Sequence, residues 1–215
     1  MRIPDRQYPA LKRLQILTGV VPVGLFLLSH FAVNGRAIAG REAYTSTVAA
    51  IGRLPWLGAV ETVLIGLPLV AHLALGVLLG TSRRGAFEPA HPTPAARRLQ
   101  RVTGFYLAMY VVCHVWALRF APDRLTGRRE LYDLVAEQLR DPFGFAFHAL
   151  AVIAAGAHFA GGCMALFGPN AFTPSAGRER MTRVAGWSVA VALVALGLNA
   201  LLAFVWTPAQ WLAAR

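Results

Sequence analysis

Five stretches of the chain run for about 20 residues with scarcely a charge, at roughly 14–33, 56–79, 102–118, 143–167 and 184–206. A helix needs about 20 mostly apolar residues to cross some 30 Å of hydrocarbon, so the pattern predicts an all-α integral membrane protein, a bundle of five transmembrane helices. The connections between them are short and polar, and Pro89, Pro92 and Pro94 punctuate one of them. A short interfacial helix is expected over Arg128 to Leu139, and residues 1–215 read as one domain with no separate soluble part. The first stretch follows Lys12 and Arg13, has no small-residue cleavage site, and is nearly twice as long as a signal-peptide core, so it is expected to be retained.

The first four spans repeat. Arg13-Leu14-Gln15-Ile16-Leu17-Thr18-Gly19 opens the first and Arg98-Leu99-Gln100-Arg101-Val102-Thr103-Gly104 opens the third, with His30 and His114 following near their far ends. Ala71-His72-Leu73-Ala74 with Gly76 in the second matches Ala157-His158-Phe159-Ala160 with Gly162 in the fourth. The chain is therefore read as two repeated helical hairpins, one histidine per helix, plus a fifth helix. The fifth opens on a weaker echo, Arg180 to Gly186, and carries no histidine.

An ionisable residue inside a membrane helix is by default a functional hypothesis, with a hydrogen-bonded interior histidine as the alternative at any one position. Four at repeat-related positions favour bis-histidine haem ligation, with metal sites as the rival reading. If the N-terminus is cytoplasmic, His30 and His114 lie about a turn from the outer ends of their helices, and His72 and His158 roughly 10–15 Å from the inner ends, at 1.5 Å per residue. Two pairs at two levels suit two stacked b-type haems, each iron held by two histidines, whereas zinc would want four ligands at one level. Each ring's second nitrogen should then donate to a carbonyl or hydroxyl. Gly76 and Gly162, four residues beyond a histidine, and Gly19, eleven before His30, are expected to make room for a macrocycle edge, or simply for close helix packing. Arg36 and Arg119, and Arg83, Arg97 and Arg98, are available to haem propionates, with membrane-edge anchoring as their plainer role.

Composition agrees: 56% of residues are hydrophobic, 14% charged, and the mean hydropathy is +0.51. The net charge of +11 suggests nucleic acid until its distribution is seen. Twelve of the 21 Lys and Arg fall in the N-terminal arm and in the segments 80–101 and 168–183, which share one side with only Asp5, Glu88 and Glu179. The opposite side holds the other nine against six acids, so the positive-inside rule places the N-terminus in the cytoplasm. Nucleic acid is not an expected partner; lipid is. Cys113 and Cys163 both fall in spans, without a CxxC or CxxCH pattern, and read as small hydrophobes.

Glu61 is the one carboxylate inside a span, where a charge costs on the order of 3 kcal/mol. It precedes His72 by eleven residues, so in a regular α-helix it faces nearly the same way, about 16 Å farther out, at the level of the outer pair. A carboxylic acid there is suited to exchanging a proton with a quinone; the alternative is a neutral acid serving helix packing. His148 holds the matching place in the second hairpin and is read as a partner of Glu61, part of a proton path, or a satisfied interfacial histidine. His91, between prolines, is expected to be exposed.

With five spans, histidine spacings of 42, 42 and 44 residues, the repeated Arg-Leu-Gln-x-x-Thr-Gly openings, and Glu61 eleven residues before His72, the chain resembles the single-polypeptide dihaem cytochrome b anchors of succinate dehydrogenases and fumarate reductases. The resemblance covers nearly the whole chain and is strongest over Glu61 to Gly76 and Arg98 to His114. It implies that His30 and His114 are axial ligands of a distal haem b, that His72 and His158 are those of a proximal haem b, and that Glu61 sits at a distal quinone site. It also implies a multi-pass protein of the cell inner membrane whose cytoplasmic loops dock an iron–sulfur subunit, which in turn binds a flavoprotein carrying FAD. Electrons would pass from succinate through flavin, clusters and haems to quinone, expected to be menaquinone, or in reverse to fumarate.

Two other classes use similar materials. Cytochrome b subunits of hydrogenases, formate dehydrogenases or nitrate reductases also hold bis-histidine haems in helical bundles, but with less evenly repeated hairpins and no counterpart of the Glu61-to-His72 spacing. A proton transporter with relay histidines would hold no chromophore and would need no soluble subunits.

Overall fold

The structure is a computed structural model that describes residues 3–4, 6–82, 93–120, 122–127, 129–167 and 176–206. Arg83, His91 and Arg128 lie outside the described residues. Those residues form helices and their connections, with no strand among them. Five helical segments are long and apolar enough to span a membrane: Tyr8–Ala39, Leu57–Gly80, Pro94–Arg119, Pro142–Phe167 and Glu179–Val205. They bury little within the protein. Large apolar side chains such as Leu25, Val77, Phe105, Val112 and Val191 are exposed, as lipid contact requires.

The first span is broken. Helix α1 (Tyr8–Val20) stops at Val21, α2 (Pro22–Gly35) resumes, and a 3-10 turn (Arg36–Ala39) finishes it. Proline at position 22 has no N–H to continue the ladder and its ring crowds the preceding turn, which accounts for the break. In the second span α4 (Leu57–Val60) passes into a π-helical segment, Glu61–Gly66, and then α5 (Leu67–Gly80). The Leu67 N–H bonds the Thr62 carbonyl, five residues back. Pro68 would press on the Leu64 carbonyl in a regular α-turn, and the wider π turn relieves this. Glu61 thus opens a segment that takes an extra residue per turn, and the equal-face argument from its eleven-residue spacing to His72 does not hold.

The third and fourth spans begin alike. Thr93 Oγ1 accepts the Ala96 N–H at 3.1 Å just before α6 (Pro94–Arg119). After a short α7 (Pro122–Leu125) and α8 (Leu131–Arg140), Asp141 Oδ2 accepts the Gly144 N–H at 2.7 Å before α9 (Pro142–Phe167). Each start pairs a capping side chain with proline at the first helical position. The fifth span lies in α10 (Ala176–Val205).

Contacts divide the chain into two compact units, Met1–Leu27 with Trp56–Thr103 and Ala157–Ala190, and Leu28–Pro55 with Gly104–Gly156 and Val191–Arg215. In the first, α1 packs on α5. In the second, two polar-sequence helices fold over an aromatic cluster. The expected interfacial helix is present as α8, whose Tyr132, Val135, Ala136 and Leu139 fall at i, i+3, i+4 and i+7 and are buried. It meets a helix that the hydrophobic pattern did not reveal, α3 (Arg41–Gly52), entered through Gly40 at φ 107°, where a side chain would be strained. Tyr44, Tyr132 and Phe204 pack mutually, edge-on or tilted, with centroids 5.0–5.8 Å apart. Arg41 forks onto Asp133 at 2.6 and 2.7 Å, reaches Glu130 at 2.9 Å, and lies over the Tyr132 ring. These hydrogen bonds hold the Asp133 carboxyl below the usual carboxylate range and raise the Arg41 guanidinium, through Asp133 first and Glu130 second.

Candidate functional site: two histidine pairs

The first unit brings His72 of α5 and His158 of α9 together, with ring centroids 6.1 Å apart and planes at 88°. His72 Nδ1 lies 2.8 Å from the Gln15 carbonyl of α1. A carbonyl only accepts, so the proton sits on Nδ1 and Nε2 keeps its lone pair. Gly19 makes this approach possible, because a Cβ there would overlap the His72 ring. On the other side His158 Nδ1 lies 3.2 Å from Thr103 Oγ1, and Gln100 Nε2 donates to the His158 carbonyl at 3.1 Å. Gly161 leaves room for the Gln100 amide, which a Cβ would overlap.

The second unit brings His30 of α2 and His114 of α6 together, with centroids 5.9 Å apart and planes at 87°. His114 Nδ1 lies 3.1 Å from the Tyr110 hydroxyl one turn earlier. His30 differs from the other three. Asn34 Nδ2 donates to the His30 carbonyl at 2.8 Å and reaches its Nε2 at 3.3 Å, so that ring nitrogen accepts a weak bond. Beside this pair stands His148, buried, its Nδ1 donating to the Gly144 carbonyl at 2.8 Å and its ring 5.9 Å from that of His114 and 5.5 Å from that of Tyr110. Tyr106 donates to the Phe147 carbonyl at 2.7 Å and ties α6 to α9.

The donor set tests what could be held. Among the described residues no group of three or more His, Cys, Asp or Glu could hold a metal ion, so a closed zinc-type site has no candidate. Two imidazoles ligating one iron from opposite faces, each through a metal–nitrogen bond of about 2 Å, set their ring centres roughly 6 Å apart. Both pairs match that separation. His72 also gives its Nδ1 proton to a carbonyl, the second-nitrogen bond that a ligating imidazole makes, and His158 Nδ1 has the Thr103 hydroxyl as a partner. The residues therefore fit two bis-histidine haems.

Some expected roles move. Gly19 serves the His72 ring across the helix contact rather than a face shared with His30, from which the break at Val21 separates it. At Gly76 a Cβ would stand 3.2 Å from Gln15 Nε2, and at Gly162 one would stand 3.1 Å from Val20, so both allow close helix approach. Glu61 is half-buried and belongs to the first unit, His148 to the second. Arg36, Arg98 and Arg119 are exposed and Arg97 half-buried, at the ends of α2 and α6. Cys113 and Cys163 are free thiols. Gln15, Gln100 and Thr103 carried no expected role, although the repeated opening contains all three; their repetition was the available signal.

A chain whose described residues are helical, with five segments long and apolar enough to cross a membrane, is a multi-pass membrane protein. No family model matches the chain, and no solved structure matches it. Over 195 residues it is 33% identical to the succinate dehydrogenase cytochrome b558 subunit of Bacillus subtilis (strain 168), in an alignment covering 90% of this chain and 96% of that one. The chain belongs to the family of succinate dehydrogenase cytochrome b subunits, and it is a membrane-anchor subunit of that kind.

Proposed function

We propose that the chain carries electrons between an iron–sulfur subunit and membrane quinone, with His72 and His158 as axial ligands of an inner haem b and His30 and His114 as those of an outer one. The observation that carries this reading is the pair of histidine–histidine separations, 6.1 and 5.9 Å, repeated in two units of one chain. When bound, haem b supplies a reversible one-electron couple within the membrane. The protein's own part is to hold four imidazoles in ligating form and to exclude water around them. To hold a haem iron through Nε2, His30 would have to give up its weak contact with the Asn34 amide. Quinone, taken as menaquinone, exchanges protons as well as electrons, and Glu61 is the intramembrane carboxyl assigned to that transfer.

The N-terminus and the α5–α6 and α9–α10 connections face the cytoplasm in this reading, on the positive-inside bias, and dock the iron–sulfur subunit; FAD and the clusters reside in the partner subunits. The membrane is the cell inner membrane. The test is the dithionite-reduced minus oxidised spectrum of the purified chain with a pyridine haemochrome count. A b-type spectrum at two haems per chain, with flavin and iron–sulfur proteins co-purifying from native membranes, is expected. A chain without haem from haem-replete cells overturns the reading.

A further inference from the structure

The two ligands of the inner pair rest on unequal acceptors. His72 gives its Nδ1 proton to a main-chain carbonyl, that of Gln15, which no substitution removes. The repeat-related residue Thr18 spends its hydroxyl on its own helix, donating to the Leu14 carbonyl at 2.8 Å. Thr103 does more than its counterpart. Its hydroxyl donates to the Leu99 carbonyl at 2.7 Å, the usual back-bond of a helical threonine. It then stands 3.2 Å from His158 Nδ1. A hydroxyl has one proton, and with that proton engaged the oxygen offers His158 only a lone pair. The imidazole must therefore be the donor. Thr103 is buried at 7% exposure, and Gln100 fixes the His158 backbone from the same helix turn, so the ring has this acceptor in a defined place.

We infer that Thr103 is a positioning residue for His158: its hydroxyl holds the proton on Nδ1, aims Nε2 toward His72, and sets the redox balance of the inner haem. The inference rests on the reading of His72 and His158 as axial ligands. A ligating imidazole whose second N–H is accepted elsewhere is the stronger electron donor, which favours ferric over ferrous iron. Removing the acceptor weakens that preference and raises the midpoint potential. The residue is replaceable where the Gln15 carbonyl is not, so control of this site is concentrated on the α6 side.

The experiment is a potentiometric titration of both haems, followed by b-type absorbance, in the purified complex carrying Thr103→Val or Thr103→Ser. Valine keeps the shape and deletes the hydroxyl. A roughly tenfold weaker ferric preference, about 59 mV upward for a one-electron couple, is expected for the inner haem in T103V, with the outer haem unmoved and T103S close to wild type. Loss of the inner haem in T103V with retention in T103S supports the inference equally. An unchanged inner potential in T103V, or an equal change in T103S, overturns it while leaving the ligand assignment standing. A complex that keeps the wild-type haem content after His158→Ala overturns the ligand assignment and the inference with it.

Discussion

Replacing Gly19 by alanine tests the inner site without touching a ligand. The new Cβ would fall on Cε1 of the His72 ring, 2.6 Å from Nδ1 and 3.3 Å from Nε2, so the imidazole has to leave its place. Forcing a methyl group into a filled contact costs about 1–3 kcal/mol. Breaking the 2.8 Å bond to the Gln15 carbonyl strands a half-buried donor inside a span, at about another 1–3 kcal/mol. Together these come to roughly 2–6 kcal/mol against the ligating geometry, or about 1.5 to 4 orders of magnitude at 1.4 kcal/mol per tenfold. G19A should therefore carry one haem b per chain where two are expected in the wild type, by pyridine haemochrome, with the retained species matching the one left in His72→Ala. Helical alanine is intrinsically better than glycine, so a loss of haem is not a propensity effect. Two haems with an unshifted spectrum in G19A would refute the contact between Gly19 and His72 as the reason for the glycine.

Three further outcomes follow from the same geometry. His72→Ala and His158→Ala should each remove one and the same haem, and His30→Ala and His114→Ala the other; a variant of one pair that removes the haem of the other pair would break the assignment. Glu61→Gln should slow quinone turnover while both haems stay bound, and full turnover would leave Glu61 a packing residue. The Arg41–Asp133 pair should make stability depend on acid. Because the folded Asp133 value is depressed, its contribution is present above the ordinary carboxylate value of about 4 and is lost as pH falls through the lower folded value. The effect is small, as both side chains are substantially exposed, and it fades in salt. Thermal unfolding in detergent, measured from neutral to acid pH, should show a shallower acid loss in Asp133→Asn; an identical profile would remove the pair from the account.

The spans were legible because lipid tolerates no polar face of any length, and their five apolar runs all became helices. The histidine pairing was legible for a different reason. Repetition of His30 and His72 as His114 and His158 fixed which helices correspond, and depth along each helix fixed which rings meet, before any contact was known. Helix α8 showed its stripe over two turns, and only its ends moved. Helix α3 was missed because its inward face is little more than Tyr44 and Val48 among Thr45, Ser46 and Thr47, a pattern too short for periodicity to register. What makes it a helix is Tyr132 and Phe204, from distant parts of the chain.

The prolines and the repeat show where sequence reading stops for physical reasons. Pro22 and Pro68 are plain to see, yet both sit inside long apolar runs that lipid would keep helical whatever their local cost. The outcome depends on how the freed carbonyls are satisfied, which is a matter of backbone geometry: a clean break at Val21 in one case, six residues of π-helix in the other. The second has a functional consequence, since a face computed at 100° per residue cannot be carried from His72 back to Glu61. The repeat has a complementary limit. Duplication copies residue types and helix faces, so Gln15 and Gln100, or Thr18 and Thr103, look equivalent. Whether a histidine proton goes to a carbonyl or to a hydroxyl is settled by sub-ångström placement of one helix against another, which duplication does not preserve. Two halves with nearly the same opening thus hold His72 and His158 by different atoms, and the asymmetry of the site lies in that difference of acceptor rather than in the ligands themselves.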